Sequence, residues 1–328
     1  MGECILPKRY WKEGGKVKGL FVRIFCIGRI FLGFFLLSVF LLLAGNVSAE
    51  MGASFAFNNG YRSDDIDWNI AGDTAGNNPN ILSELTWSDL KIYQLQAEGK
   101  VILEWLYLRG SVGYGWILDG DNQDSDYLGN NRTFEYSRSN NSSDNGNVMD
   151  ASIGVGYPFE PGAGWLRMTP LLGYSLHEQD LTITNGFQTI PSDGSFSGLN
   201  STYHAKWKGP WAGIDFSIEA SRRLSLFSSF EYHWADYDGE ANWNLRTDFE
   251  HPKSFEHDAS GKGIVVSAGG SYAISKNWLI NANIDYRESS TDAGTDRTFF
   301  ADGTTSDTRL NEVNWSSYSA MLGIIFRF

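Results

Sequence analysis

From about residue 50 to the carboxyl end, apolar and polar side chains alternate along one run of residues after another. A period of two sends successive side chains to opposite faces of an extended strand, so each run has one apolar and one polar face. Val112, Tyr114, Trp116 and Leu118 alternate with Ser111, Gly113 and Gly115. Ala212, Ile214, Phe216 and Ile218 alternate with Gly213, Asp215, Ser217 and Glu219. Trp278, Ile280, Ala282, Ile284 and Tyr286 do the same against Asn281, Asn283, Asp285 and Arg287, and the chain ends in this pattern through Tyr318 to Phe328. No stretch after residue 50 approaches the roughly 18 consecutive apolar residues of a membrane helix. In a soluble sandwich the apolar face would be a core. In an outer-membrane barrel it meets lipid, while the polar face lines the interior. Alternation alone fits both.

Segment length and spacing separate them. Ten strands are expected near 52–68, 82–97, 100–118, 148–160, 165–182, 200–219, 223–242, 262–274, 277–293 and 312–328. Short connections near Glu98-Gly99, Glu160–Gly164, Ser221-Arg222 and Ser275-Lys276 alternate with long polar ones at 69–81, 119–147, 183–199, 243–261 and 294–311. Short turns at one end, long loops at the other and an even strand count are the pattern of outer-membrane barrels. Lipid offers no hydrogen bonds to a sheet edge, so such a sheet must close. Trp116, Trp278 and Tyr286, at strand ends, suit aromatic girdles at the headgroup level. The fold class expected is all-β, a closed antiparallel transmembrane β-barrel of about ten strands with long extracellular loops. No linker or composition break divides residues 50–328, which are read as one barrel domain. Several strands exceed the ~9–11 residues that cross a bilayer, so the barrel should stand proud of the membrane.

Composition enters at the amino end. Seven Lys and Arg within residues 1–29, an apolar run from Ile30 to Ala44 and the small-residue sequence Val47-Ser48-Ala49 form the order of a secretory signal. The expectation is a signal peptide over 1–49, cleaved after Ala49, with export to the bacterial outer membrane; a retained anchor is the alternative. Removing that segment takes away seven basic and two acidic residues, leaving 19 basic against 37 acidic and a net charge of −18. It also removes Cys4 and Cys26, both of the cysteines. That charge argues against a nucleic-acid partner, because phosphate binding rests on clustered Lys and Arg.

Two constellations could carry chemistry. Asp119, Asp121, Asp124 and Asp126 open the longest polar stretch. Alternate carboxylates on an extended segment point the same way, so Asp124 and Asp126 can share one site, raise each other's pKa and hold a proton or orient water. A calcium site and a solvated acidic loop are the other readings; the glycine and terminal Glu of the twelve-residue calcium loop are missing. The second constellation runs from Glu231 through His233, Asp236, Asp238, Glu240 and Asn242 to His251 and His257. With Trp234 facing lipid, alternation sends Glu231 and His233 into the lumen, where a structural network is expected, while His251 and His257 are read as exposed loop residues. No phosphate loop, nucleophile elbow or HExxH metal motif occurs. Cofactors and metals are not expected.

The succession of segments resembles the omptins, ten-stranded outer-membrane barrel proteases and adhesins of Gram-negative bacteria. The stretches that carry it are Ser83–Trp87, Glu104-Trp105 leading to Gly113–Trp116, Gln123–Tyr127, Gly173-Tyr174 leading to Leu181–Gly186, Trp207–Gly213 and Phe230–Trp234. The likeness in order and spacing covers most of residues 50–328. It implies a carboxylate pair facing an Asp-His pair across the barrel mouth, with water between them as the nucleophile of peptide cleavage at basic residues. Asp124 and Asp126 match the first pair. Glu240 and Asn242 stand where the second is expected, and Asn cannot accept and return a proton as His does. The sequence therefore points to an omptin-like cell-surface barrel without proteolysis, an adhesin or structural barrel, with an omptin-type endopeptidase as the alternative. Outer-membrane lipid is the expected partner, with lipopolysaccharide and basic peptides implied by the resemblance. A diffusion channel ranks lowest, because ten strands leave little lumen.

Overall fold

The computed structural model describes residues 51–161 and 165–328. The expected export signal lies outside them, as does part of the turn at Glu160–Gly164. Thirteen strands follow in order: β1 (Met51–Ile70), β2 (Ser83–Leu103), β3 (Leu106–Gly129), β4 (Thr133–Ser142), β5 (Gly146–Gly156), β6 (Leu166–Ile190), β7 (Gly194–Ser195), β8 (Ser201–Glu219), β9 (Leu224–Asn242), β10 (Phe255–Ala273), β11 (Trp278–Thr291), β12 (Gly294–Phe299) and β13 (Thr305–Arg327). All pairings are antiparallel, and β1 pairs with β13 from Ser54↔Arg327 to Ile70↔Leu310, which closes the ring. β4 with β5 fills one position, β11 with β12 fills another, and β7 is a two-residue rung on β6. The ring therefore has the ten positions expected.

Several boundaries differ from expectation. The turn placed at Glu98-Gly99 lies at Glu104-Trp105, and β2 runs on to Leu103. Glu98 and Lys100 are not turn residues; they form an ion pair at 2.7 Å inside the barrel, where a polar side chain is the rule. The loops expected at 119–147 and 294–311 are largely strand: β3 continues to Gly129 and β4 returns from Thr133, while β12 and β13 form the other hairpin.

The reason is a reversal of polarity partway up the wall. On β8 odd-numbered residues face inward throughout. Near the short-turn end they are Ser217 and Asp215; further out they become Trp211, Trp207, Ala205 and Tyr203, all buried. The outward series changes in step, from Ile218, Phe216 and Ile214 to Lys208, Lys206 and His204. β9 repeats this, with Phe230 and Trp234 exposed beside inward Glu231 and His233, then Asp236, Asp238 and Glu240 outward over buried Tyr237 and Ala241. The lower part is therefore a membrane barrel, and the upper part is built like a water-soluble one.

The level of the switch is marked by outward aromatic pairs, Tyr61–Tyr93, Tyr114–Trp116, Tyr232–Trp234 and Tyr286–Tyr318. Trp278, Phe326 and Phe328 ring the other end. Between the two girdles the wall presents Leu172, Ile280, Ile284 and Leu322 to the bilayer.

The lumen has two zones. Within the membrane zone, Asp150 accepts hydrogen bonds from Arg62 and Gln94, both at 2.7 Å, and meets His177 at 2.8 Å. Asp64 accepts from Arg62, Gln179 and Trp315. Lower down, Arg109 bridges Asp215 and Glu231, and Glu231 meets His233 at 2.9 Å, the network expected from alternation. Above it Trp68, Trp87, Trp207, Trp315, Tyr203, Tyr237 and Phe255 pack into a plug. Two glycines make room: a Cβ at Gly173 would come within 2.3 Å of the Trp211 ring, and one at Gly239 within 2.4 Å of the Tyr203 hydroxyl. His257, expected in an exposed loop, is buried in the plug on β10; its Nδ1 meets the Tyr203 hydroxyl at 2.8 Å and its Nε2 lies 3.2 Å from Asp296. The reversal explains the difference, since β10 begins seven residues before the expected strand.

Candidate functional site

The outward end of the lumen holds the carboxylate pair. Asp124 and Asp126 sit two apart on β3, opposite Leu85 and Ser83 on β2 and opposite Ser139 and Ser137 on β4. Leu85 belongs to the plug, so the face shared with Asp124 is the inner one. A bulge where Asp126 and Tyr127 meet β4 lets Tyr136 stand beside the pair.

Trp243, just past the end of β9, packs on Phe255 at 4.8 Å and stands beside Asp124, where its indole N–H opposes the rise of that carboxyl. The Ser83 and Ser137 hydroxyls serve Asp126. Arg246, in the β9–β10 loop, is near enough to act on both carboxylates and is bonded to Asp248 at 2.8 and 2.9 Å. Burial, then the charge of Asp126, pushes the Asp124 carboxyl up to about 8; burial raises Asp126 as well. Two close carboxylates over an apolar floor do not both ionise easily, so the pair can hold one proton near neutral pH.

Around it the hairpin tip exposes Leu128, Phe134 and Tyr136, and the opposite loop exposes Leu245. The mouth is thus an acidic base with an apolar rim. A cationic group carried on an apolar chain matches both features.

Glu240 does not join this site. Alternation along β9 puts it on the outer wall with Trp234, Asp236 and Asp238, where its cross-strand neighbours are His204 and Glu256 and Lys253 lies 3.6 Å away. Asn242 has the same outward parity; its side-chain oxygen meets His251 Nδ1 at 2.8 Å, and His251 Nε2 meets the Arg246 carbonyl at 3.1 Å. The other imidazoles are placed elsewhere: His204 on the outer wall with Asp180, His177 and His233 in the lumen, and His257 in the plug. Among the described residues no imidazole is hydrogen-bonded to Asp124 or Asp126. Reading alternation onward from Trp234 would have found the outward placement of Glu240. Trp243, Tyr136 and Arg246 had no such signal, because their places depend on a loop and a bulge.

The fold has solved counterparts. The outer membrane protease OmpT from Escherichia coli superposes with a TM-score of 0.70 at 12% identity, covering 84% of this chain and 97% of that one. The translocator domain of the autotransporter NalP from Neisseria meningitidis gives a TM-score of 0.37 at 11% identity over 92% of this chain and 96% of its own. OprG from Pseudomonas aeruginosa gives 0.31 at 11% identity, over 86% and 99%. At such identities the OmpT likeness speaks for the omptin-like barrel fold alone, and the other two scores carry no argument. No curated protein matches the sequence. A closed barrel with a lipid-facing apolar band, two aromatic girdles and a family match over residues 56–328 lead to one conclusion: the chain is an outer-membrane barrel and belongs to the Protochlamydia outer membrane protein family.

Proposed function

We propose that this barrel works at the cell surface as an adhesin-like receptor, its acidic mouth capturing cationic, apolar-flanked segments of peptides or proteins without cleaving them. The observation that carries the reading is the opposed orientation of the two candidate pairs. Asp124 and Asp126 face into the mouth, whereas Glu240 and Asn242 face out of the wall. Water held by the carboxylates would have no imidazole opposite to complete proton transfer, and general acid–base catalysis needs both partners within hydrogen-bond reach. Capture needs only charge and apolar contact, and the acidic chain steers cations toward the mouth.

The alternative, an omptin-type endopeptidase, draws support from the raised Asp124 carboxyl and from His251 in the same loop as Arg246. Lipopolysaccharide is a further proposed partner, for which Lys262 beside Trp234 on the outer wall is the best-placed cation. Anisotropy of a labelled dibasic peptide, titrated with refolded barrel, tests the capture reading. Saturable binding that weakens at least tenfold in Asp124→Asn/Asp126→Asn is expected. Equal binding by that double variant would remove the mouth from the account.

A further inference from the structure

The inner face of β3 carries more than the carboxylate pair. Asp124, Asp126 and Leu128 follow at intervals of two, so all three point the same way. Ser139 and Ser137 stand beside the two carboxylates on β4. Phe134 stands opposite Leu128, because the pairs Gly129↔Thr133 and Tyr127↔Glu135 bracket the two. From the plug outward the stripe is acidic at two positions and then apolar. Leu128 is 69% exposed and Phe134 79%, and Phe134 has a φ of +54°. That left-handed conformation is uncommon for any residue but glycine and an outlier for a bulky one. Here it holds a large ring in water, where the ring adds nothing to the core.

The sheet beside the stripe is incomplete. β4 pairs with β6 from Arg138 to Ser142, and among the described residues no strand pairs with Thr133–Ser137 on that side. An edge of this kind accepts an extended chain through main-chain hydrogen bonds, with alternate side chains giving specificity. Ser137 and Ser139 are small, so a Lys or Arg side chain from such a chain can cross them to the carboxylates. Arg246, the cation already near the pair, is held by Asp248.

We propose that the mouth recognises an extended peptide segment by register, as a basic residue with an apolar residue two positions away; this rests on capture at the mouth. The basic group meets Asp124 and Asp126, and the apolar side chain packs on Leu128 and Phe134. Asp126 and Leu128 are two residues apart, about 7 Å on a strand that rises ~3.4 Å per residue, and residues i and i+2 of an extended ligand have the same span. An apolar residue next to the basic one points to the opposite face and misses the patch.

Fluorescence anisotropy with the refolded full barrel compares two labelled heptapeptides of one composition. Thr-Leu-Thr-Arg-Thr-Leu-Thr puts leucine two positions from arginine on both sides, and Thr-Thr-Leu-Arg-Leu-Thr-Thr puts it next to arginine. The first should bind at least fivefold more tightly. Leu128→Ser/Phe134→Ser, a change confined to exposed side chains, should erase that preference. Asp124→Asn/Asp126→Asn should weaken both peptides at least tenfold. Equal binding of the two peptides by the wild type, or a preference that survives Leu128→Ser/Phe134→Ser, would overturn the register rule and leave capture standing. Failure of both heptapeptides to bind would also overturn the rule; if a labelled dibasic peptide fails as well, capture itself falls.

Discussion

Asp124 joins the acid–base chemistry of the mouth to its stability. Its carboxyl titrates at about 8 in the folded protein against an ordinary 3.8, so folding favours the protonated form. The stabilising contribution is complete below about pH 4 and is lost as pH rises through about 8. Asp126 shifts in the same direction, and the two titrate as a coupled pair. Denaturant unfolding followed by tryptophan fluorescence should therefore show lower stability at pH 9 than at pH 5. Asp124→Asn should flatten most of that slope; an unchanged slope would place the titrating group elsewhere. The pair itself was readable because i and i+2 on a strand share a face. The absent partner was also within reach of the sequence, since Trp234 and Glu240 have the same parity. The raised carboxyl of Asp124 was half readable: the neighbouring charge is in the sequence, but the burial comes from β2 and β4.

Along β8 and β9 parity stays fixed while its meaning reverses at the girdle, and on β2 and β3 bulges shift the parity as well; this is what sequence alternation alone could not reveal. On β8, Ile214 and His204 both point outward, yet one meets lipid and the other lies beyond the aromatic ring. Ile214→Lys should cost about 2–4 kcal/mol in folding into lipid vesicles, as charged side chains near the midplane do. His204→Lys should change stability by less than about 0.5 kcal/mol. Comparable costs at both positions would mean that the outer boundary is misplaced. Strands in the membrane zone were legible because apolar residues there must face lipid. Residues 119–147 and 294–311 read as loops because their polar side chains are on the wet face of strands that continue into water. Their inward set holds few apolar residues, and Leu310, buried against the plug, is the one that betrays the second of them.

For the whole molecule, one closed sheet supports two different interiors. The plug of Trp68, Trp87, Trp207 and Trp315 with Tyr203 and Tyr237 gives the projecting part a core of its own. Trp207→Ala removes a ring buried against Tyr237 and Trp315 and should destabilise the barrel by about 3–5 kcal/mol. The same truncation thins the plug that fills the upper lumen, so single-barrel conductance in a planar bilayer should rise severalfold; an unchanged current would locate the constriction elsewhere. The central functional claim is that the mouth holds cationic peptide without cutting it. A mass-spectrometric time course of a dibasic peptide, incubated with refolded barrel and lipopolysaccharide, addresses that claim most directly. The opposed faces of Asp124 and Glu240 predict intact peptide throughout, in the wild type and in Asn242→His alike. Fragments that accumulate with the wild type and vanish with Asp124→Ala would contradict it.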